Sequence, residues 1–166
     1  MRILVAVASK HGSTWEIARG IGDTLAVWGV RVDVAHVEDV DDLNKYDGFV
    51  IGSAVYAGRW LKPATAFIEK HAIELTSRPV WLFSSGPLGS PPKPHESKAA
   101  DIRPITKLIR IREHRVFAGR LSRMDLAEKI ITMALHVSQG DYRNWADIHA
   151  WAAGIAQALK CRPVRK

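Results

Sequence analysis

Short apolar segments recur along the chain and alternate with longer segments of mixed polarity. Five of them have the length of β-strands, at residues 3–8, 30–37, 48–55, 79–85 and 114–121. Three of these, at 3–8, 48–55 and 79–85, are nearly unbroken hydrophobic runs, which is typical of strands covered on both faces of a parallel sheet. The segment at 30–37 alternates apolar and polar residues and predicts a strand nearer the sheet edge.

Helical periodicity fills the intervals between these strands. Apolar residues spaced three and four positions apart predict helices over residues 13–28, 62–75, 96–110, 124–137 and 145–159. The last of them carries the clearest apolar stripe, and Asn144 or Asp141 is expected to cap its first turn. Within "GDYRNW", residues 140–145, Asp141 and Arg143 are expected to pair in a structured turn.

Strands that alternate with helices predict βαβ units with right-handed crossovers. We therefore expect an α/β fold: a doubly wound, five-stranded parallel sheet in the order 2-1-3-4-5, with helices on both faces. Residues 1–166 are expected to form a single domain. Ligands of such sheets bind beyond the carboxyl ends of the strands, at the switch point between strands 1 and 3.

The first loop at that edge follows strand 1 and precedes the first helix. It consists of Ser9, Lys10, His11, Gly12, Ser13 and Thr14. Unpaired amides at a helix N-terminus, together with hydroxyl groups and a glycine, favour an anion such as a terminal phosphate. The alternative is a serine-rich helix cap without a ligand. The loop lacks the glycine spacing of a P-loop and of a dinucleotide-binding fingerprint.

Two further loops end strands 3 and 4. The second loop contributes Ser53, Ala54, Val55, Tyr56, Ala57, Gly58 and Trp60. The third loop contributes Ser84, Ser85, Gly86, Pro87, Leu88 and Gly89. Aromatic rings in the second loop and glycines in the third suit a planar heterocycle, although such aromatics often serve packing alone. Together with the first loop they predict a site for flavin mononucleotide (FMN), and no metal site is predicted.

The chain is basic, and its excess charge is concentrated in one region. The formal net charge is +7, and residues 87–123 contain nine Lys/Arg against three acidic residues. A basic surface favours anionic partners, which could be carboxylated substrates, anionic lipid or nucleic acid. Nucleic acid is disfavoured, because the aromatic residues do not interleave with these charges as a stacking platform requires.

Cellular location is an expectation from the composition. Cys161 is the single cysteine, so an intramolecular disulfide is excluded, which fits a reducing compartment. The N-terminal apolar run is too short for a secretory signal, and no segment approaches the roughly 20 apolar residues that span a bilayer. We therefore expect a cytoplasmic protein, with peripheral contact at the inner membrane face as an open alternative.

Over its whole length the chain resembles the flavodoxin-like FMN-binding family. That family's phosphate loop reads Ser/Thr-x-Thr-Gly-x-Thr; Ser9, Gly12 and Thr14 match it, whereas His11 replaces a hydroxyl residue. The resemblance implies that Ser53 to Gly58 and Ser84 to Gly89 are the two loops around the flavin ring.

Within that superfamily the chain is most similar to the bacterial quinone-dependent protoporphyrinogen oxidase group. The similarity is carried by "YDGFVIGSAVYAGRW" (46–60), "FIEKHAIEL" (67–75) and "VFAGRL" (116–121). The segment after strand 5, residues 122–145, is shorter than in that group. Its part at 126–137 is apolar enough to contact a quinone or a membrane, or to cover the core as a helix.

Three functions follow as alternatives. The resemblance implies an FMN-dependent oxidoreductase that oxidises a protoporphyrinogen-type substrate with a quinone as acceptor. A flavodoxin-type electron carrier that serves a redox partner protein is the second, and a basic binding module that has lost flavin is the third. Carriers of this family are typically acidic, so the basic charge favours the enzyme. The chemistry would lie on the flavin, and Tyr56 is the candidate for a catalytic side chain.

Overall fold

The central sheet of the protein is parallel and five-stranded. The computed structural model describes residues 1–86, 100–121 and 140–161. Its strands are β1 (Arg2–Ala8), β2 (Arg31–His36), β3 (Gly48–Tyr56), β4 (Arg59–Trp60), β5 (Val80–Gly86), β6 (Glu113–Ala118), β7 (Arg120–Leu121) and β8 (Gly140–Asp141). The order β2-β1-β3-β5-β6, with parallel neighbours throughout, confirms the predicted 2-1-3-4-5 topology. β4 pairs antiparallel with the end of β3, and β7 pairs antiparallel with β8.

Helices cover both faces of this sheet, as expected. They are α1 (Ser13–Val27), α2 (Lys62–Lys70), α3 (Ala72–Thr76), α4 (Arg103–Thr106) and α5 (Trp145–Ala158), and a 3₁₀ turn spans Val37–Asp39. Apolar side chains of α1 and α5 pack on one face, and those of α2, α3 and α4 pack on the other. The Asn144 side chain accepts a hydrogen bond from the Asp147 amide at 3.2 Å, so Asn144 rather than Asp141 caps α5.

The buried strands explain the unbroken apolar runs of the sequence. Successive side chains of β1 enter opposite core layers, and every residue from Ile3 to Val7 is fully buried. β2, by contrast, is only partly buried along its length, in agreement with its alternating sequence and its position at the sheet edge. The sheet therefore presents rigid, fully covered strands whose carboxyl ends emerge together at one edge.

The helix predicted over residues 62–75 is interrupted. At His71 the backbone leaves the helical conformation, with φ −111° and ψ 22°, and α3 begins at the next residue. The imidazole of His71 is buried against the ring of Phe67, with 4.9 Å between ring centroids. The prediction of one continuous helix was therefore wrong at His71, whose buried side chain packs against Phe67 at the break between α2 and α3.

The helix predicted over residues 96–110 is wrong in its described part. Only Arg103–Thr106 is helical there, with Ile105 buried, and the turn that follows buries Ile109. Pro104 lies in the first turn of this helix, where a missing amide is tolerated. The remainder of that prediction and the helix predicted over residues 124–137 lie outside the described residues.

The last parallel strand is shorter than predicted. β6 ends at Ala118, and Gly119 then accepts a hydrogen bond from the Tyr142 amide at 3.3 Å. The chain beyond Gly119 leaves the sheet and pairs antiparallel with β8. Residues 120–121, which the apolar pattern assigned to the sheet, therefore belong to a separate two-stranded ribbon beside the N-terminus of α1.

Candidate functional site

The predicted loops meet at the carboxyl edge of the sheet. Ala8, Ser53 and Ser84 lie in one register row across β1, β3 and β5. The segments that follow them are the loop from Ser9 to Gly12, the β3–β4 hairpin and the end of β5. The topology thus brings these three predicted segments together at the switch point, where open α/β sheets bind ligands.

The loop between β1 and α1 is a compact turn closed by a glycine. Gly12 is the N-cap of α1 and has φ +82°, a left-handed conformation that glycine adopts without strain. Its amide donates to the Ser9 hydroxyl at 3.2 Å, and its carbonyl accepts from the Glu16 amide at 3.0 Å. Helix geometry leaves the amides of the next residues without partners inside the helix. The turn therefore aims N–H groups at the space above α1.

The hydroxyls of this loop do not act as a helix cap. Among the described residues, no side chain caps α1 at Gly12. Ser13 and Thr14 are buried, and the Ser13 hydroxyl accepts from the Arg120 amide at 2.8 Å. The alternative of a serine-rich cap therefore finds no support in the geometry, and the arrangement retains the form of an anion-binding turn.

Cationic and aromatic groups stand beside this turn. The Lys10 ammonium lies 5.5 Å from the centre of the Tyr56 ring, and the His11 ring approaches the same ring edge-on at 6.4 Å. Lys10, Arg59 and Lys62 are exposed at this edge of the sheet. The edge therefore combines amide donors, an aromatic ring and positive charge.

A tight hairpin brings Tyr56 to this position. Tyr56 pairs with Arg59 across Ala57 and Gly58, which have φ +48° and +72°. Positive φ at both central residues defines a type I′ turn, which matches the twist of the paired strands. The sequence predicted a loop here, and the structure shows that it contains a short antiparallel strand, β4.

Trp60 does not lie at the open edge. Its side chain is 6% exposed and belongs to the core on the α2 face. The indole N–H donates to the Ser84 hydroxyl at 2.7 Å. Tyr56 pairs with Arg59, and Trp60 is the next residue along β4, so its side chain points to the opposite face of the hairpin from that of Tyr56. The two rings therefore cannot both face the open edge. Trp60 bears on the edge by fastening the hairpin to β5.

The serine side chains at the strand ends are occupied internally. The Ser53 hydroxyl donates to the Ala54 carbonyl and accepts from the Leu61 amide, at 2.8 and 3.0 Å. Ser84, Ser85, Ala54 and Val55 are buried as well. A ligand at this edge would therefore contact the backbone of these segments and not their side chains. Gly86 allows the two strands to pack closely, since a Cβ there would lie 3.2 Å from Val55. Pro87, Leu88 and Gly89 lie outside the described residues.

His114 is a partly buried polar residue of this region that the sequence did not single out. Its Nε2 atom lies 2.8 Å from the Ser84 hydroxyl, so it extends the contact between Trp60 and Ser84 into β6. Burial lowers the pKa of His114 to about 4, because the imidazolium form would lose its hydration. The imidazole is thus neutral at physiological pH and serves as a hydrogen-bonding group.

A charged cluster beside α1 was only partly anticipated. The expected pair is confirmed, since Arg143 donates to both carboxylate oxygens of Asp141 at 2.8 and 2.5 Å. Glu16 in the first turn of α1 also contacts Arg143 and Arg120. These residues are far apart in sequence, so no local pattern could reveal the cluster.

The described residues contain neither a metal-binding cluster nor a membrane-spanning helix. No group of three or more His, Cys, Asp or Glu side chains there is arranged to hold a metal ion. None of the helices in the described ranges is long and apolar enough to cross a membrane.

Comparison with known proteins gives matches in sequence and in structure. A family model described as a flavodoxin domain matches residues 4–144. Protoporphyrinogen IX dehydrogenase (quinone) of Escherichia coli strain K12 is 31% identical over 86 residues, which are 51% of this chain and 48% of that protein. The chain therefore matches about half the length of this curated relative.

Solved structures share the fold over nearly the whole chain. A flavodoxin from the domain Archaea superposes with a TM-score of 0.64 at 16% identity, covering 96% of this chain and 99% of that one. Oxidised flavodoxin 1 from Bacillus cereus superposes with a TM-score of 0.62 at 16% identity, covering 95% and 98%. Identities this low establish the fold alone.

Proposed function

The chain belongs to the flavodoxin-domain family, and from that premise we propose that it binds FMN and acts as a flavin-dependent oxidoreductase. The observation that carries the proposal is the turn at Gly12, which aims amide groups at the carboxyl edge between β1 and β3. That is the place where sheets of this topology bind phosphorylated ligands.

The residues present fit a flavin with a terminal phosphate. Among the described residues, an added Cβ at Gly12 or at Gly58 would meet nothing within 4 Å, so neither loop is crowded by that part of the chain. The amides at the start of α1 and the hydroxyl of Thr14 would receive the phosphate, and the helix dipole favours its negative charge. Tyr56 and the backbone of the hairpin and of β5 would line the ring.

We propose a porphyrinogen-type substrate, oxidised with a quinone as the acceptor. The Escherichia coli relative, whose name states that activity, supports this substrate class. The exposed cations Lys10, Arg59 and Lys62 suit the carboxylate groups that such a substrate carries. A bound flavin would accept electron pairs from the substrate and pass them to the quinone. The protein would bind and orient the reactants, with Tyr56 as the candidate side chain beside them.

The first experiment tests the cofactor. The full chain is incubated with FMN, freed of excess ligand and examined for the visible absorption of bound flavin. We expect retained flavin in the wild type and weaker retention in Thr14→Val, which removes a buried hydroxyl of the phosphate turn. Thr65→Val is the matched control, because Thr65 is partly buried on α2 and its hydroxyl donates to the local Lys62 carbonyl at 3.0 Å, away from the phosphate turn. Absence of flavin in the wild type would refute the cofactor proposal.

The second experiment tests the reaction. The FMN-loaded protein is mixed anaerobically with protoporphyrinogen and a soluble quinone, and porphyrin fluorescence is followed. Porphyrin formation that requires both the protein and the quinone is the expected result. Flavin-loaded protein that forms no porphyrin would leave the cofactor proposal standing and refute the substrate.

An electron carrier is the second candidate, and the fold favours it. Flavodoxins superpose over at least 95% of the chain. The two candidates differ in the one-electron potentials of the flavin. Cations near the ring stabilise an anionic reduced flavin and favour two-electron chemistry. We therefore expect little semiquinone during reductive titration. A strongly stabilised semiquinone at low potential would support the carrier instead.

A further inference from the structure

A carboxylate held between two guanidinium groups lies beside the phosphate turn. Glu16 accepts from Arg120 at 2.7 Å through one oxygen and from Arg143 at 2.5 Å through the other. Arg143 in turn binds Asp141. Arg120 and Asp141 are paired residues of the β7–β8 ribbon, so the cluster joins that ribbon to the first turn of α1.

Burial distinguishes this cluster from an ordinary surface ion pair. The side chain of Arg143 is 4% exposed and its guanidinium packs over the Trp145 ring, 4.8 Å from the ring centre. Arg103 binds Asp101 through the same atoms and the same sequence spacing, but the Arg103 side chain is 85% exposed. The side chains of its partners Glu16 and Asp141 are 38% and 42% exposed, so it is the buried guanidinium that sets this cluster apart. Exposed pairs contribute little, whereas a guanidinium removed from water depends on its carboxylate partners.

A backbone contact extends the cluster into the phosphate turn itself. The Arg120 amide donates to the Ser13 hydroxyl at 2.8 Å, and Ser13 is buried directly after Gly12. The side chain of Arg120 reaches Glu16, three residues further along the first turn of α1. The ribbon therefore contacts α1 at two points, both within the turn that carries the amide donors.

The charges of the cluster balance. Glu16 and Asp141 supply two negative charges, and Arg120 and Arg143 supply two positive ones. The hydrogen bond from Arg143, followed by the charges of both arginines, lowers the pKa of Glu16 below its usual value, against the effect of burial. Glu16 is thus ionised at neutral pH, and without the arginines its charge would repel a phosphate bound at the same helix turn.

We propose that Arg143, acting through Glu16, is a positioning residue for the phosphate turn and neutralises the carboxylate that stands beside the bound phosphate. The proposal rests on the FMN-binding function proposed above. It assigns the β7–β8 ribbon a part in selecting a phosphorylated flavin over an unphosphorylated one. The cluster should affect the binding of the phosphate group and not that of the flavin ring.

The test compares FMN with riboflavin, which lacks the phosphate. Dissociation constants for both flavins are measured by fluorescence quenching with the full-length wild type, Arg143→Gln and Arg143→Lys. We expect Arg143→Gln to raise the dissociation constant of FMN about tenfold, because the unneutralised carboxylate repels the phosphate. The dissociation constant of riboflavin should rise less than about twofold. Arg143→Lys, which keeps the charge, should recover most of the preference. Arg103→Gln is the matched control and should change neither constant.

A double variant separates charge from folding. In Glu16→Gln/Arg143→Gln the carboxylate is removed together with its partner, so the preference for FMN over riboflavin should return toward that of the wild type. Equal weakening of both flavins in Arg143→Gln, or a double variant no better than the single one, would overturn the proposal. If Arg143→Gln does not fold, the single variant Glu16→Gln decides, since it should bind FMN at least as well as the wild type relative to riboflavin. A wild type that binds neither flavin would instead refute the proposed function.

Discussion

Ala57 carries backbone strain at the tip of the β3–β4 hairpin. A type I′ turn needs positive φ at both central positions, and alanine pays for this at φ +48° whereas Gly58 does not. Asparagine tolerates the left-handed region better, so Ala57→Asn is expected to raise the free energy of unfolding by about 0.5 kcal/mol. Urea denaturation measures the change, and Gly58→Ala should lower stability by about 1 kcal/mol. A less stable Ala57→Asn would contradict the turn assignment.

His114 gives the protein a pH-dependent stability. Its pKa is about 4 in the folded state and near 6.5 when unfolded, so the unfolded chain binds the extra proton first as the pH falls. The contribution of neutral His114 is therefore complete above about pH 6.5 and is lost progressively toward pH 4. We expect a loss on the order of 2 kcal/mol over this range, less than the full shift implies because the imidazole is not wholly buried.

His114→Gln isolates that contribution from those of the carboxylates. Glutamine can keep a hydrogen bond to Ser84 but does not titrate, and both proteins share the carboxylates whose pKa values are lowered. Chemical denaturation at several pH values should show the wild type losing its advantage over the variant between pH 6.5 and 4. Parallel stability curves for the two proteins would show that another group is responsible.

At the scale of the elements, β3 and β5 pack without space for one added methyl group. The ring of Phe83 covers Gly52, and a Cβ there would lie 2.1 Å from the ring carbon Cζ. Phe83 cannot retreat easily, because it is fully buried against Phe117 and Trp151. Gly52→Ala should therefore cost about 3 kcal/mol of stability, the upper end for an overpacked core.

The matched control for this prediction is a glycine in open space. Gly154 is exposed on α5 and an added Cβ would contact none of the described residues within 4 Å, so Gly154→Ala should gain about 0.5–1 kcal/mol from helix propensity. Thermal or urea denaturation distinguishes the two substitutions. A tolerated Gly52→Ala would show that the sheet can shift at this point, immediately behind the proposed flavin edge.

The sequence predicts best the strands that are buried on both faces of the sheet. The runs at 3–8, 48–55 and 79–85 became β1, β3 and β5 with changes of one or two residues, because only continuous apolar sequence suits a doubly covered strand. The hairpin at Tyr56, the break at His71 and the ribbon at Arg120 were missed. Each depends on a partner distant in the chain or on a single backbone conformation, and periodicity reports neither.

The candidate site was predictable in its position but not in the duties of its side chains. Topology fixes where strand ends meet, and Gly12 marks the turn by its residue type alone. Whether Ser84 faces a ligand or an internal partner depends on Trp60 and His114, which approach it from other strands. The cluster around Glu16 is likewise assembled from segments more than 100 residues apart.

At the scale of the whole molecule, positive charge is present at both edges of the sheet. Lys10 and Lys62 are exposed at the carboxyl edge, where the phosphate would bind. Arg110 and Arg112 are exposed near the opposite edge, where the Arg112 amide binds the Val80 carbonyl at the start of β5. With a net charge of +7, the protein as a whole attracts anions, and the local cations determine the part of the surface at which the anions bind.

This arrangement predicts an electrostatically guided association with FMN. The association rate should fall about tenfold as ionic strength rises from about 0.02 to 0.5 M, because screening shortens the reach of the charges, while the rate for uncharged riboflavin should change less than about twofold. Stopped-flow quenching of flavin fluorescence measures both rates. At low salt the double variant Lys10→Gln/Lys62→Gln should slow the association of FMN more than Arg110→Gln/Arg112→Gln does, although both variants remove two charges. Equal slowing would assign the effect to net charge alone, and a salt-independent rate would remove electrostatic guidance from the binding of the cofactor.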